Sequence, residues 1–411
     1  MKTLKSLILF VFILNSYNSF AQKDTSSSAG NSPKKIHIAV FDSLRQQDLV
    51  NLLKSIFTNN IAEKDTAQKH NVQFSLVPAI GYSLSTGFAF DITANVAFYA
   101  KGDHENNLSS IDGVLVYDTQ NQKIFASRSE IWFAKNKFKF ITDLRVEQYP
   151  VNTYGLGTTA TTKTANTIDY QYLRSYLTLL KRITGAIYAG VGYNYDNHNS
   201  ITESGNADKS ESDFDKYGFS NQSISSGISL TLLFDNRRNH INPQNGGYAS
   251  LTYRDNFKFL GSDNHWQSWQ VDLRKYFKLS SHSNNILAFW GIANFTYGNA
   301  PYLDLPATET DTYHNSGRGY TAQRFRGKNE LYFEAEYRFG ISRNGLIGGV
   351  VFSNFESFSE FKTNNFVKIA PAAGAGIRIK INKESNTNLG VDYAYGIYNS
   401  RGLFVTLGEY F

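Results

Sequence analysis

The segment at 326–341 limits the possible fold more than any other, because its side chains alternate between apolar and charged along an extended strand. One face consists of Phe333, Ala335, Tyr337 and Phe339, and the other of Glu334, Glu336 and Arg338. The core of a soluble protein does not accommodate such a charged face. A transmembrane β-barrel does, because its strands turn apolar residues to the lipid and polar residues to a watery lumen. The segment therefore predicts a barrel strand with its charges inside.

The loop before this strand, 299–325, supplies possible partners for those charges. Arg318, Arg324 and Arg326 lie in or beside its polar, glycine-bearing second half. Buried charges are kept when they are paired. We therefore expect the loop to fold into the lumen, with its arginines directed at the glutamates of the following strand.

Residues 1–21 have the pattern of a secretory signal peptide. Lys2 and Lys5 precede a short apolar run, and the small residue Ala21 follows it. The run is too short to cross a membrane as a helix. We predict cleavage after Ala21 and exclude the peptide from the fold.

The composition narrows the fold class and excludes several functions. The chain has no cysteine, which excludes disulfide bonds, cysteine-linked lipid anchors and thiolate metal sites. After the signal peptide, no stretch approaches the roughly 18 apolar residues of a membrane helix. Aromatic residues make up 15% of the chain while the mean hydropathy is negative. This pairing is typical of a barrel with aromatic girdles and a polar lumen, although a secreted all-β enzyme could share it. The modest net charge of +6 favours contact with anionic lipid over nucleic acid.

Residues 22–71 are predicted to form a flexible leader and one short amphipathic helix, periplasmic or luminal. Residues 22–35 are rich in Ser, Lys and Asn, a composition typical of disorder. From Asp42 or Ser43 until Asn59, apolar residues recur at helical spacing. The recurring residues are Leu49, Leu52, Leu53, Ile56 and Phe57. We expect this stripe to pack against the barrel, with a membrane surface or a partner as the alternatives.

Residues 72–411 consist of strands separated by turn signals, each about as long as the roughly 9–11 residues that cross a bilayer at a tilt. We predict a single antiparallel transmembrane barrel of sixteen strands, with fourteen or twelve as alternatives. An even number returns both ends of the barrel to the same side. The predicted strands are 72–83, 87–100, 108–118, 123–134, 137–148, 168–181, 184–196, 218–235, 247–259, 265–279, 285–298, 326–341, 345–355, 368–381, 387–398 and 401–411.

Loop lengths support this topology, because outer-membrane barrels have long outer loops and short periplasmic turns. With the first strand rising, the long and short connections fall on opposite sides. The long ones are 149–167, 197–217 and 299–325, and the short ones are 182–183, 342–344 and 382–386. Two periplasmic connections, 101–107 and 236–246, are longer than the rule predicts.

The last predicted strand ends on an aromatic residue, which resembles the terminal signal that the outer-membrane assembly machinery reads. Its alternation directs Leu403, Val405, Leu407 and Phe411 toward lipid. Glu409 departs from that signal, since an apolar residue is usual at its position. A charge at this position costs little if it lies at the membrane interface rather than at the midplane.

Two motifs occur in an order known from one barrel family. GRGY at 317–320 precedes predicted strand twelve, and FDNRRNHINPQNGGY at 234–248 precedes predicted strand nine. They resemble the RGF or RGY signature and the periplasmic turn of the Omp85 superfamily, the bacterial surface antigen barrel of BamA-like and TamA-like proteins. The turn residues that carry the resemblance are Asp235, Arg237, Pro243, Gly246 and Tyr248. VPAIGYSLSTGFAF at 77–90 and YGLG at 154–157 are similar to the family's first hairpin and third loop.

The resemblance implies roles for the loop signature, which here is Arg318, Gly319 and Tyr320. In the family the loop arginine is held in the lumen by acidic groups of neighbouring strands, which implies a pair between Arg318 and Glu336. The family's second acid falls at Asn354, a neutral acceptor, and Glu334 is the alternative anchor. For Asp235 and Arg237, capping of the turn and a family role are equally good interpretations.

The family's insertases and secretion partners also carry periplasmic POTRA modules. The 49 residues from Gln22 to His70 are too few for one, so we expect a barrel that lacks POTRA domains.

No pattern for catalysis or metal binding is present in the sequence. The eight histidines are scattered, with no His-Glu-x-x-His pattern. Asp103, His104 and Ser109 fit a solvated turn better than a catalytic triad. We expect no metal, no cofactor and no enzymatic activity.

Two hypotheses of different class follow. The first is an Omp85-type barrel that assists insertion, assembly or translocation of proteins or lipids, using a weakly closed seam between its first and last strands. Its partners would be outer-membrane lipids, unfolded barrel clients or assembly lipoproteins. The second is a passive channel or structural accessory barrel in which loop 299–325 plugs the lumen.

Overall fold

The computed structural model describes residues 48–49, 72–83, 87–100, 105–218, 220–280, 283–311 and 315–411. The predicted signal peptide and leader, and nearly all of the predicted N-terminal helix, lie outside these residues. Among the residues described, no helix has the length and apolarity needed to cross a membrane.

In the described ranges, seventeen β-strands make up one sheet, of which sixteen are long and one, β6, has three residues. The strands are β1 Val72–Ser83, β2 Gly87–Phe98, β3 Ser109–Asp118, β4 Lys123–Phe133, β5 Phe138–Gln148, β6 Val151–Thr153, β7 Asn166–Thr184, β8 Ile187–Glu203, β9 Ser223–Asp235, β10 Gly246–Asn256, β11 Trp266–Lys278, β12 Ile286–Gly298, β13 Asn329–Gly340, β14 Ile347–Phe358, β15 Ala370–Asn382, β16 Thr387–Gly396 and β17 Arg401–Leu407.

Each long strand pairs with the next long strand in an antiparallel ladder, from β1–β2 through β16–β17. The short strand β6 pairs with β7 beyond the end of β5. β1 and β17 approach within 8 Å between Cα atoms, which brings the sheet round into a nearly closed barrel. No ladder joins these two strands within the described part of the chain. The all-β barrel with sixteen long strands is confirmed, and it has a seam between β1 and β17.

The two faces of the sheet differ as the alternation predicts. On β13, Leu331 and Phe333 expose 41% and 45% of their surface on the outside of the barrel. Glu334 and Glu336, on the opposite face of the same strand, expose 0% and 1%. The outside of the wall is therefore apolar and the inside carries the charges, which is the arrangement of a barrel in lipid.

Long loops and short turns lie at opposite rims, which we call the long-loop rim and the short-turn rim. The long-loop rim holds the connections after β5, β8 and β12, and an apolar cluster that includes Leu156, Phe214 and Tyr302 packs them together. Its short helices are the α-helix Asp213–Gly218 and the 3-10 helices Thr162–Thr164, Lys258–Leu260 and Tyr302–Asp304. The connections 99–108 and 236–245 are the long exceptions at the short-turn rim.

Three features differ from the sequence predictions. β8 extends beyond the predicted 184–196 because its ladder with β7 continues to the pair Ile168–Glu203. β7 extends beyond the predicted 168–181 because it pairs with β6 at Asn166 and Thr167 and with β8 as far as Thr184. β17 ends at Leu407, because Gly408 has a φ of 104° and turns the chain inward. Phe411, predicted to face lipid, is therefore buried inside, with 2% of its surface exposed.

Candidate functional site

The loop between β12 and β13 contains a turn with two glycines that packs against the barrel wall. Gly317 and Gly319 have φ of 76° and 109°, in the left-handed region that favours glycine. A Cβ on Gly319 would lie 2.7 Å from the Cβ of Ala372, so the loop passes directly against β15. Arg318, between the two glycines, is 1% exposed.

Three carboxylates from two strands bind the Arg318 guanidinium. Its Nη2 donates to Glu334 and Glu336 of β13, and its Nη1 donates to Asp392 of β16. Burial disfavours the charged form, but the carboxylates outweigh burial and raise the pKa of Arg318. The charged guanidinium of Arg318 therefore holds the loop to β13 and β16, two strands that are not neighbours in the sheet.

Two further arginines extend this arrangement. Arg338 Nε donates to Glu336 at 2.5 Å, and Arg378 donates to Asp392 at 2.5 Å and to Glu409 at 2.8 Å. Each of these side chains is at most 6% exposed. We call this group the Arg318 cluster. It consists of Glu334, Glu336, Asp392, Glu409, Arg318, Arg338 and Arg378. Its four carboxylates outnumber its three guanidinium groups.

The C-terminal residues cover the cluster. The Tyr410 ring centroid lies 4.0 Å from the guanidinium carbon of Arg318, a position in which an aromatic face attracts a cation. Phe411 stacks on Trp290 with ring centroids 5.3 Å apart, and its carbonyl oxygen accepts a bond from Arg338 Nη2 at 2.9 Å. The aromatic C-terminus is thus packed inside the barrel.

The sequence named two of the three acidic partners of Arg318. The structure places both Glu334 and Glu336 on the guanidinium. Asn354, expected to accept a bond from it, instead donates its Nδ2 to the main-chain carbonyl of Arg318 at 2.8 Å. The partner that was missed is Asp392. Its inward parity is visible in the sequence, but parity gives no distance across the lumen.

Tyr320, the last residue of the loop signature, fixes the loop to β15 and to the residue that follows β16. Its hydroxyl donates to the carbonyl of Pro371 at 2.6 Å and accepts from the N–H of Ile397 at 3.1 Å. A Cβ on Gly396 would lie 2.4 Å from the Tyr320 ring, so the glycine makes room for it.

Arg324 and Arg326 do not reach the glutamates, which corrects the sequence prediction. Arg324 Nη2 donates to the carbonyl of Ala160 at 2.9 Å, and Arg326 Nη1 donates to the carbonyls of Tyr302 and Leu305 at 2.8 and 3.1 Å. Because these acceptors are neutral, burial prevails and lowers the pKa of both arginines. Arg324 therefore ties its loop to the loop after β5, whereas Arg326 braces its own loop internally.

A second ion cluster lies at the short-turn rim and contains the first part of the turn motif. Asp235, at the end of β9, accepts bonds from Arg237 Nε at 2.9 Å and from Lys139 Nζ at 3.0 Å. Lys139 also lies 2.7 Å from Glu130. We call these four residues the Arg237 cluster. It balances two carboxylates with two cations.

The second part of the turn motif shapes the return to β10. Gly246 has a φ of 102°, and a Cβ there would lie 2.9 Å from the side-chain oxygen of Asn236. The carbonyl of Pro243 accepts a bond from Arg338 Nη1 at 3.5 Å. The turn therefore contacts the Arg318 cluster as well as the Arg237 cluster.

Within the described ranges, no group of three or more His, Asp or Glu side chains is arranged to hold a metal ion. Both clusters instead pair carboxylates with basic side chains. What this arrangement can do is fix a loop or a turn to the barrel wall.

Comparisons with known proteins agree with this architecture. Residues 117–402 match a family model described as the Omp85 superfamily domain. Among solved structures, the chain is similar to BamA from Haemophilus ducreyi lacking POTRA domains 1–3, with a TM-score of 0.50 and 14% identity over 82% of this chain and 69% of that chain.

It is also similar to CdiB from Acinetobacter baumannii, with a TM-score of 0.51 and 12% identity over 83% of this chain and 60% of that chain. CdiB from Escherichia coli gives a TM-score of 0.51 and 11% identity over 82% of this chain and 62% of that chain. The chain thus spans less than two thirds of each CdiB chain. No curated protein sequence matches it.

Proposed function

The chain belongs to the Omp85 superfamily, and on that basis we propose that it is an outer-membrane barrel that assists insertion, assembly or translocation of other outer-membrane components. Its clients would be unfolded barrel proteins or lipids, with assembly lipoproteins as possible partners. No catalytic step is part of this proposal. The class of activity comes from the family resemblance, and the seam suggests the place where it acts.

The seam is the observation that carries the proposal. Among the strands that the structure describes, all other neighbouring long strands share a ladder, whereas β1 and β17 lie side by side without one. β17 has only seven residues, against twelve in β1. A strand edge without a ladder can pair with an added strand. The seam is therefore the part of the wall that opens at the lowest cost in hydrogen bonds.

The loop at 299–325 supports a barrel that works at its wall rather than through a wide pore. Arg318 and Tyr320 tie the loop to β13, β15 and β16. The lumen beside the loop contains cavities of about 270 Å³ and 410 Å³. We propose that the loop keeps the lumen shut while clients engage the seam.

The alternative is a passive channel or structural accessory barrel in which the same loop is a plug. The cavity of about 270 Å³ favours it, because polar and charged side chains of β5 and β7–β11 line this space together with loop residues 303–306 and 308–311. A polar chamber of this kind would conduct small solutes if the loop left the lumen.

Depletion of the protein from its bacterium, followed by outer-membrane proteomics, tests the first proposal. We expect the amounts of other barrel proteins to fall and to recover when the wild-type chain is supplied again. Depletion of an unrelated outer-membrane barrel controls for general envelope stress. Unchanged amounts of all other barrel proteins would contradict an assembly role.

Conductance in planar bilayers tests the alternative. A passive channel predicts steady conductance of the wild-type protein that rises when residues 311–326 are deleted. The assembly proposal predicts little steady conductance before the deletion. Steady wild-type conductance together with an unchanged proteome would favour the channel.

A further inference from the structure

The turn between β9 and β10 crosses the short-turn rim and contacts elements on both sides of the seam. We propose that this turn, residues 236–245, is a strap that holds the seam closed at its periplasmic end. The inference rests on the proposed function of the seam. It adds the element that would control opening of the seam. This element joins β9 and β10, which lie on the wall opposite the seam.

On one side of the seam the strap packs against β2, β3 and the chain between them. Ile241 forms an apolar cluster with Ala97 of β2 and Leu108. His240 Nε2 lies 2.7 Å from Ser110 Oγ of β3, within hydrogen-bond distance. These contacts combine apolar burial with a polar anchor.

On the other side the strap binds the turn between β15 and β16. Asn239 Nδ2 donates to the carbonyl of Ser385 at 2.8 Å, and Asn242 Nδ2 donates to the carbonyl of Asn386 at 3.1 Å. Immediately after β17, the N–H of Glu409 donates to the carbonyl of Ile241 at 3.1 Å. The strap therefore reaches the last strands of the barrel as well as the first.

The same turn at 383–386 also receives contacts from the first strand. Gln73 of β1 donates its Nε2 to Glu384 at 3.2 Å, across the seam. The carboxylate of Asp48 accepts the N–H of Lys383 at 3.1 Å. Chain segments from both sides of the seam thus meet at one short turn, and the strap supplies two side-chain bonds to it.

The strap is itself braced, so its contacts can resist separation of the strands. The side-chain oxygen of Asn239 accepts the N–H groups of Ile241 and Asn242 at 2.8 and 3.2 Å. At its start, Arg237 and Asp235 belong to the Arg237 cluster. Each neutral hydrogen bond contributes modestly. A few such bonds are decisive at a seam where the described residues form no ladder.

Distance measurements between spin labels test the strap, and the absence of cysteine makes every introduced label unique. Labels at V96C and L389C lie on β2 and β16 and span the seam by three strand spacings, roughly 15 Å between backbones. V191C and L273C on β8 and β11 span three spacings of laddered wall as the control pair. Both pairs are measured in wild type, in the double variant N239A/N242A and in N344A, which changes a short turn away from the seam.

We expect the double variant to shift the seam distance outward by about one strand spacing, roughly 5 Å, and to leave the control pair unchanged. N344A should change neither distance. An unchanged seam distance in a double variant that keeps its heat-resistant migration in gels would overturn the strap. Should that variant fail to fold, the single variant N242A gives the same comparison, with a smaller shift or broadening expected.

Outer-membrane proteomics of the same variants separates this inference from the proposed function. A longer seam distance with normal amounts of other barrel proteins would support the strap and contradict the assembly role. An unchanged seam distance would overturn the strap whatever the proteome shows.

Discussion

The Arg318 and Arg237 clusters both bury charges inside the barrel, but they are built differently. In the Arg237 cluster the carboxylate and the arginine are two residues apart, and two acids balance two cations. In the Arg318 cluster the cation arrives from a loop, 74 positions away from one of its acids, and the acids are in excess. The first arrangement shapes a turn. In the second arrangement, the carboxylates of β13 and β16 would repel one another unless the loop placed Arg318 between them.

Removal of the loop arginine tests this difference with the largest expected effect. Arg318→Ala leaves Glu334, Glu336 and Asp392 buried without their shared cation. We expect a loss of about 3–5 kcal/mol of stability, the range for breaking a buried ion pair. The measurement is the temperature at which the barrel loses its heat-resistant migration in detergent gels.

Arg324→Ala is the matched control, since it removes the same residue type from the same loop. Its acceptor is a neutral carbonyl, so we expect a loss of only about 1–3 kcal/mol. Equal losses of stability in the two variants would mean that the carboxylates around Arg318 contribute no more to stability than a neutral carbonyl does.

Charge exchange sharpens the comparison and has the next largest effect. Arg318→Glu alone should abolish heat-resistant migration, because it adds a further acid to an acidic cluster. Glu334→Arg in the same chain should restore most of it, since Glu334 has no other basic partner within salt-bridge distance in the described part of the chain.

Exchange with Glu336→Arg should restore less. Glu336 also holds Arg338, so the new arginine would stand beside an existing one. No recovery in either double variant would contradict the proposed pin between loop and wall.

The smallest effect is expected at the balanced cluster. Asp235→Asn removes one of two acids, while Lys139 keeps Glu130 as a partner. We expect a loss of about 1–3 kcal/mol, measured by the same gel assay. Asp208→Asn, at an exposed loop acid, is the control and should leave the transition temperature in the gel assay unchanged. A loss as large as that of Arg318→Ala would remove the distinction between the clusters.

The strands were predictable from the sequence, because lipid on one side and water on the other impose a strict period of two. All sixteen long strands lie close to their predicted positions, and the charged face of β13 is inside. The period of two no longer predicts the structure where the strands are not placed between lipid and water. β7 and β8 continue past their predicted ends, and β17 stops early at a glycine in the left-handed region.

The contacts of the candidate site were less predictable, because alternation says which way a side chain points and not what lies opposite. Glu334 and Glu336 could be named because they follow the loop in sequence. Asp392 could not, since β13 and β16 face each other only after two further strands have curved the wall. Arg324 and Arg326 were misassigned for the same reason: Arg324 binds a carbonyl of another loop, and Arg326 binds carbonyls of an earlier part of its own loop.

The long-range contacts of Arg318 also set an order of events during folding. β7 and β8 are joined by the two residues 185–186, so their pairing is local and should form early. Asp392 lies 74 positions after Arg318, so Arg318 can bind all three carboxylates only when β16 has joined the barrel. The loop can settle only when nearly the whole chain is in place. Protection of the loop from protease would therefore indicate a completely assembled barrel rather than a partly assembled one.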